Sequence, residues 1–533
     1  MIPLIPHPSD YDVSPLHGFL PSGLPLERIP DTYYNKWEAI VQNLQGLILS
    51  RRLRGVVDAL PVLSTDYLQT EPEWRRAYSI LGFIAHAYIW GGDSPSERVP
   101  PSISIPFRSS CDHLELPTVA TYAGLCLWNW KPLFDDEPID NLENLSTLQT
   151  FTGSIDESWF YLVSVAIEAR GAPIIPLMLQ AIAAVRRNDA RMVTECLRSF
   201  AERLDELGSL LQRMYDSCDP HVFYHRIRPF LAGSKNMAEA GLPHGVIFDD
   251  GTGEPQDYVQ FSGGSNAQSS IIQFFDLILG IEHGPQGASQ SSASGPSSPP
   301  APSNNFIHDM RRYMPGRHAR FLEHVSSVAN IRPFVKSRSN DRALTTAFDA
   351  CLAMLRAFRD IHIQMVSRYI IIKSRESRSM SRSGAPSTSP PSARHSTSNS
   401  SSHHAPALSP ESARRRKPSN DQALSSADEQ DGPKAARRPK NLRGTGGTAL
   451  IPFLKQARDE TGEPAIDAWA RRLLNNGPGV GPMDTAGTKG KGDGVDGKVA
   501  QLGSVVEHNG DLEIVGLAGT WSVDDSEGGI CHW

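Results

Sequence analysis

The chain has 533 residues, a formal net charge of -7 and a pI near 6.2, a balance that gives nucleic acid no general electrostatic hold on it. The length exceeds one ordinary domain, yet only 39% of the residues are hydrophobic and Gly, Pro and Ser crowd into two stretches, which excludes a chain packed throughout and favours folded units interrupted by disordered segments. Six cysteines (Cys111, Cys126, Cys196, Cys218, Cys351 and Cys531) stand far apart without a C-x-x-C pair, as expected of reduced, mostly buried thiols in an intracellular protein. The start, MIPLIPHPSDYDVSP, has prolines where a signal sequence needs an apolar helix, and no run of 18 uninterrupted apolar residues occurs. A soluble, cytoplasmic chain with no membrane partner is expected.

From about residue 33 to 130, YNKWEAIVQNLQGLI, EWRRAYSILGFIAHAYIWG and PTVATYAGLCLWNW repeat apolar residues at three and four between Pro-rich turns, predicting a small helical domain over 1–150. A longer helical region follows through ESWFYLVSVAIEARGAPIIPLMLQAIAAVRR and ARMVTECLRSFAERLDELGSLLQRMYDS. Only HGVIF (244–248) and DYVQF (257–261) look strand-like, so the fold class is all-α with a local ribbon. Residues 151–372 make the first part of a large helical domain, carrying a disordered insert at 284–305. A second disordered segment, Ser-rich with the basic clusters RRRK and RRPK, spans 373–441; residues 442–477 close the large domain with GTGGTALIPFLKQARDE, and 478–533 form a Gly-rich tail.

Between the two inserts, DRALTTAFDACLAMLRAFRDIHIQMVSRYIII predicts a helix over 341–372. Leu344, Phe348, Leu355, Phe358, His362 and Met365 share its apolar stripe. A histidine on such a stripe faces the core. Taken alone, it is most often a neutral side chain bonded to a carbonyl; a rigid helix presenting one imidazole nitrogen to an apolar cavity is also what an axial haem ligand requires.

The surrounding text, FRDIHIQMVSRYIII, resembles the proximal-histidine helix of the indoleamine 2,3-dioxygenases. Four further blocks resemble the same family in the same order: HLELPTVATYAGLCLWNW; FYLVSVAIEA; FSGGSNAQSSIIQFFDLILGIEH with DMRRYMPGRHARFL; and GTGGTALIPFLK. The resemblance implies haem b on His362, ferrous when active, with Arg359 on a propionate and Gly264 and Ser265 beside the cofactor. It implies a distal pocket containing Ser164, with Tyr122, Leu125, Phe160, Phe223, Tyr224 and Asn266 around the substrate, and Arg228 on its carboxylate. Ser265 and Thr445 would line the amino-acid end. Asp276 would support the proximal side. Where the tetrameric tryptophan dioxygenases carry a histidine, this chain has Ser164.

The activity so implied is insertion of O2 across the indole C2–C3 bond of L-tryptophan or a related indoleamine, giving N-formylkynurenine, the first step of the kynurenine pathway toward NAD. A reductant would keep the iron ferrous, and a monomer is expected. Tyr224, Leu125 and Asn266-Ala267 depart from the family's pattern of phenylalanine, cysteine and an Ala-Gly pair. A non-catalytic haem sensor of tryptophan, O2 or redox state would need the same His362, although Arg228 and Thr445 serve substrate rather than haem. A scaffold acting through the basic segment would need no haem at all, and its basic clusters could also serve nuclear import. GGSNA resembles a hydrolase nucleophile elbow but has Ala267 at its fifth position and no series of strands around it. His221 and His225 have the spacing of a metal pair without the glutamate of H-E-x-x-H, and a surface pair is expected.

Overall fold

The computed structural model describes residues 3–284, 306–377 and 450–475, with three short strands beyond them. The chain divides into two units, Met1–Glu376 with Leu442–Trp533, and Ser377–Asn441. Every element named below belongs to the first. Helices make up nearly all the regular structure among the described residues, as the apolar spacings predict.

Helix α1 (Glu71–Trp90) begins on a capping box in which Glu73 Oε2 accepts the Gln69 and Thr70 amides at 2.7 and 2.9 Å. Every residue from Arg75 to Ile89 is buried, so this helix runs through the core rather than over it. It stops at Gly91, whose amide returns to the Ala87 carbonyl at 2.8 Å; a Cβ there would lie 2.5 Å from that oxygen. Strand β1 (Arg98–Val99) leads into α2 (Pro101–Leu114), which packs along α1. A π-helical turn, Ala123–Leu127, then passes into an antiparallel pair, β2 (Trp130–Pro132) with β3 (Leu145–Thr147). Residue 150, expected to end the small domain, lies in the turn after β3, within the first unit.

Helices α3 (Ile155–Gly171) and α4 (Ile174–Arg186) form a nearly continuous apolar rod. Ser154 caps α3 by accepting the Glu157 amide at 3.3 Å. By length and composition Ile155–Arg186 could cross a membrane, but 78% of its most apolar window is buried inside the fold, as in a core helix. Helix α5 (Ala190–Gln212) covers both α3 and α4, and its other flank receives α8.

The strand-like HGVIF contributes β4 (Ile247–Phe248), which pairs in parallel with β1, and Val246 makes a single antiparallel bridge to Val259 of DYVQF. The ribbon expected from these two segments is thus one bridge plus a partner 149 residues upstream, at a sequence separation no local pattern reveals.

Helix α6 (Ser270–Leu279) follows the glycine-rich turn, and α7 (Gly316–Val328) packs on it. In α8 (Arg342–Val366), Asp341 caps the first turn by accepting the Leu344 amide at 3.1 Å. Leu344, Phe348, Leu352 and Leu355 are fully buried, and the Cys351 thiol meets the Leu197 carbonyl of α5 at 3.0 Å. The helix continues through a π-helical turn, Ser367–Ile372, and on to residue 377, so the first residues assigned to the second disordered segment are helical. Beyond that segment α9 (Leu450–Glu460) returns against α8. The tail carries an antiparallel meander, β5 (Val505–His508), β6 (Asp511–Gly516) and β7 (Gly519–Ser522), which its glycine content did not predict. Of the insert expected at 284–305 all but Gly284 lies outside the described residues, as do residues 378–441 of the second segment.

Candidate active site

A cavity of about 240 Å³ opens between α3, α6, α8 and α9, with mostly apolar walls. His362 and Phe358, one turn apart on α8, both face it. Among the described residues the His362 ring makes no hydrogen bond, and burial, helped by the positive charge of Arg359, pushes its pKa down to about 4. The imidazole is therefore neutral at physiological pH, with a free lone pair for a ligand in the cavity. A core histidine satisfied by a carbonyl, the ordinary fate of such a residue, is not what stands here.

Arg359, one turn before His362, also lines the cavity, held from behind. Its Nη2 donates to both Asp276 oxygens, at 2.6 and 2.8 Å, and its Nη1 to the Ala457 carbonyl at 3.1 Å and to Thr461. Asp276 sits on α6 and is buried. Burial would raise its carboxyl, but Arg359 and His283 outweigh that and keep it below the ordinary value.

Phe160 and Ser164 lie one turn apart on α3 and face the cavity together. Phe223 enters from the π-helical turn Phe223–Ile227, with its ring 4.8 Å from that of Phe160 and 5.6 Å from that of Tyr369. Arg228 follows at the head of a short helix, Arg228–Leu231, and reaches the same space. It is largely withdrawn from water. Burial pulls its guanidinium below the ordinary value, and Tyr224, 5.3 Å beneath it, opposes the shift. Tyr224, which the resemblance puts around the substrate, does not line the cavity; its ring lies under the Arg228 guanidinium instead.

Tyr122 and Leu125 line the cavity from the N-terminal segment, and Gly264, Ser265 and Asn266 line it beside them, with Gly264 against Leu125. A Cβ on Gly264 would come within 2.5 Å of Leu125 Cδ1, so the isobutyl group of Leu125 fills room that only glycine leaves. Ser265 has extended backbone and accepts the Ala267 amide at 3.3 Å, a turn cap rather than a strained nucleophile elbow, and the only parallel pairing among the described residues is the two-residue β1–β4 ladder. His221 and His225 are exposed with ring centroids 4.4 Å apart, and no group of three or more potential metal ligands converges among the described residues. Thr445 lies outside the described residues.

Sequence reasoning missed two parts of the site. Leu450, Phe453, Leu454 and Ala457 of α9 form a cavity wall, and their three- and four-residue spacing in LIPFLKQA was a legible signal. Behind Tyr122 and Ser269, fully buried Glu168 accepts the Tyr122 hydroxyl at 3.0 Å and the Ser269 hydroxyl at 2.7 Å, while its other oxygen has no partner among the described residues. Burial pushes its pKa up to about 7, against the two hydroxyl donors.

A carboxyl raised in this way contributes stability that is complete below its unfolded value and lost as pH rises through about 7. Glu168→Gln retains an acceptor for both hydroxyls and cannot ionise. Its stability relative to the native chain is therefore expected to improve by about 3 kcal/mol between acid and mildly alkaline pH, as read from urea unfolding at each pH. A constant difference across that range would contradict the buried, proton-holding state of Glu168.

Comparison with known proteins gives a concordant answer. A family model described as indoleamine 2,3-dioxygenase matches residues 7–464. An indoleamine 2,3-dioxygenase of Saccharomyces cerevisiae is 40% identical over 460 residues, 85% of this chain and 92% of the yeast protein. One from Penicillium citrinum is 42% identical over 371 residues, covering 68% of this chain and 79% of its own length. A 6-hydroxytryptophan 2,3-dioxygenase of Fusarium equiseti is 39% identical over 364 residues, 68% of this chain and 85% of that protein.

Proposed function

Because the chain belongs to the indoleamine 2,3-dioxygenase family, we infer that it inserts both atoms of O2 across the indole C2–C3 bond of L-tryptophan and releases N-formylkynurenine. The observation that carries this reading is the neutral His362 imidazole, turned without a hydrogen-bond partner among the described residues into an apolar cavity that buried Arg228 also reaches.

The donor set fits haem b. The neutral His362 nitrogen would hold the iron, and the guanidinium of Arg359, aimed by Asp276, would hold a propionate. Gly264 and Ser265, which line the cavity, would border the macrocycle. Bound haem supplies a ferrous iron at which O2 is taken up and activated.

The chain's own residues bind, orient and exclude water. Arg228 offers planar donors to the substrate carboxylate, for which a guanidinium already stripped of water costs little further desolvation. Phe160, Phe223 and Tyr122 hold the indole in a dry, aromatic-lined space, with the Ser164 hydroxyl beside it. No side chain is required as a general base. Free, buried cysteines at 111, 126, 196, 218 and 351 support a reducing, cytoplasmic setting, where a cellular reductant would keep the iron ferrous; the working unit is taken to be the monomer.

The direct test is incubation of the purified, haem-loaded, reduced protein with L-tryptophan in air. Accumulation of N-formylkynurenine is expected, and a haem-replete protein that forms none would overturn the assignment.

A further inference from the structure

His283, just past the end of α6, lies between two carboxylates. Its Nε2 is 3.0 Å from Asp276 Oδ2 and its Nδ1 is 2.7 Å from Glu460 Oε2, at the C-terminal end of α9. The three side chains are 7%, 6% and 16% exposed, so water screens them only weakly. A neutral imidazole carries a single N–H and would turn a lone pair toward one of the two carboxylates. Only the doubly protonated ring can donate at both ends.

The same cluster contains Arg359, on the far side of Asp276. Two carboxylates and two cations then form a neutral buried group, which becomes net negative if His283 loses a proton. Around that ring, α9 adds a second layer: Glu460 Oε1 accepts the Gly284 amide at 2.9 Å and the Gln456 amide at 2.8 Å, and Gln456 also donates to the Gly284 carbonyl at 3.2 Å. Among the described residues, the charged groups facing His283 are Asp276 from α6, Glu460 from α9 and Arg359 from α8. Arg311, bonded to Gln273, adds positive potential at Asp276 from outside the cluster.

We propose that His283, as an imidazolium, is a positioning residue that fastens α9 against the cavity and holds the Asp276–Arg359 pair in place. The proposal rests on the reading of the cavity as the substrate and haem site. Through α9 it acts on Leu450, Phe453, Leu454 and Ala457, and through Asp276 on Arg359, all of which line the cavity. Burial alone would lower the His283 pKa, but Asp276 and Glu460 outweigh it and raise it above the ordinary histidine value. The fastening is therefore complete below that ordinary value and is lost as pH rises through the higher, folded-state value.

Hydrogen exchange of the α9 amides, read by mass spectrometry and corrected for the intrinsic pH effect, tests this without relying on turnover. In the native full-length chain, protection of α9 should fall roughly tenfold from about pH 6 to about pH 8.5, while α5 stays unchanged. His283→Gln should have weakly protected α9 at every pH, with no titration. Glu460→Gln, which keeps a side chain of the same size, should move the loss of protection to lower pH. In parallel, KM for L-tryptophan should rise with the same pH dependence in the native enzyme and lose that dependence in His283→Gln. A flat exchange profile in the native chain would overturn the proposal, as would a His283→Gln variant that titrates like the native chain. A chain that formed no N-formylkynurenine yet showed the exchange titration would overturn the reaction assignment and leave the clamp standing.

Discussion

His362→Ala is expected to abolish haem retention and turnover together while leaving the fold in place. The imidazole faces a cavity rather than a packed neighbour, and among the described residues it makes no hydrogen bond, so its removal leaves no polar group unsatisfied. The packing of α8 on α5 depends on Leu344, Phe348, Leu352 and Leu355, none of which touches the change. Far-ultraviolet circular dichroism should therefore match the native chain while the Soret band disappears. Free imidazole added to the variant should restore part of the band by entering the space the side chain vacated. A variant with a normal Soret band and unchanged axial ligation would remove His362 from the ligand role.

Arg228→Ala should separate substrate from cofactor. If the guanidinium binds the tryptophan carboxylate, the variant keeps haem and CO binding but loses about 1.5–3 kcal/mol of charge-assisted hydrogen bonding, a roughly tenfold to more than hundredfold loss in apparent affinity. The discriminating measurement is kcat/KM for L-tryptophan against a decarboxylated analogue, at equal haem content. The loss should fall on the first compound and largely spare the second. Equal fractional losses would make Arg228 a structural residue, a real possibility to exclude because its guanidinium also stacks over Tyr224.

The parts of the site that could be read from sequence are those carried by regular spacing or by a resemblance with several blocks. The stripe through Phe358 and His362 follows from helical periodicity, and α8 puts both residues on the cavity. Phe160 and Ser164 came from the resemblance, and their four-residue spacing on α3 is what turns them to the cavity together. Arg228 lies in an irregular, π-turned stretch, and only the resemblance singled it out. Tyr224 lies in the same stretch, where no regular helical spacing indicates that its ring sits under Arg228 and off the cavity wall. Glu168 and His283 were missed for another reason. Each is a polar residue at the end of an apolar run, where exposure is the ordinary expectation, and each has a partner far away in the chain: Tyr122 and Ser269 at 46 and 101 residues from Glu168, and Glu460 at 177 residues from His283. The β1–β4 pairing was illegible on the same ground.

The apolar rod of α3 and α4 also has a consequence during synthesis. Its cover, α5, emerges from the ribosome immediately after it, but the flank of α5 that receives α8 must wait for about 130 more residues. At translation speeds of about 5–20 residues per second, that interval is on the order of ten seconds, far longer than a helix or a collapsed cluster needs to form. For that time a greasy surface stands open on the nascent chain with its partner not yet made. A rare-codon pause or a heat shock in this window would be paid for in aggregated chains, even though the finished protein hides the same surface completely.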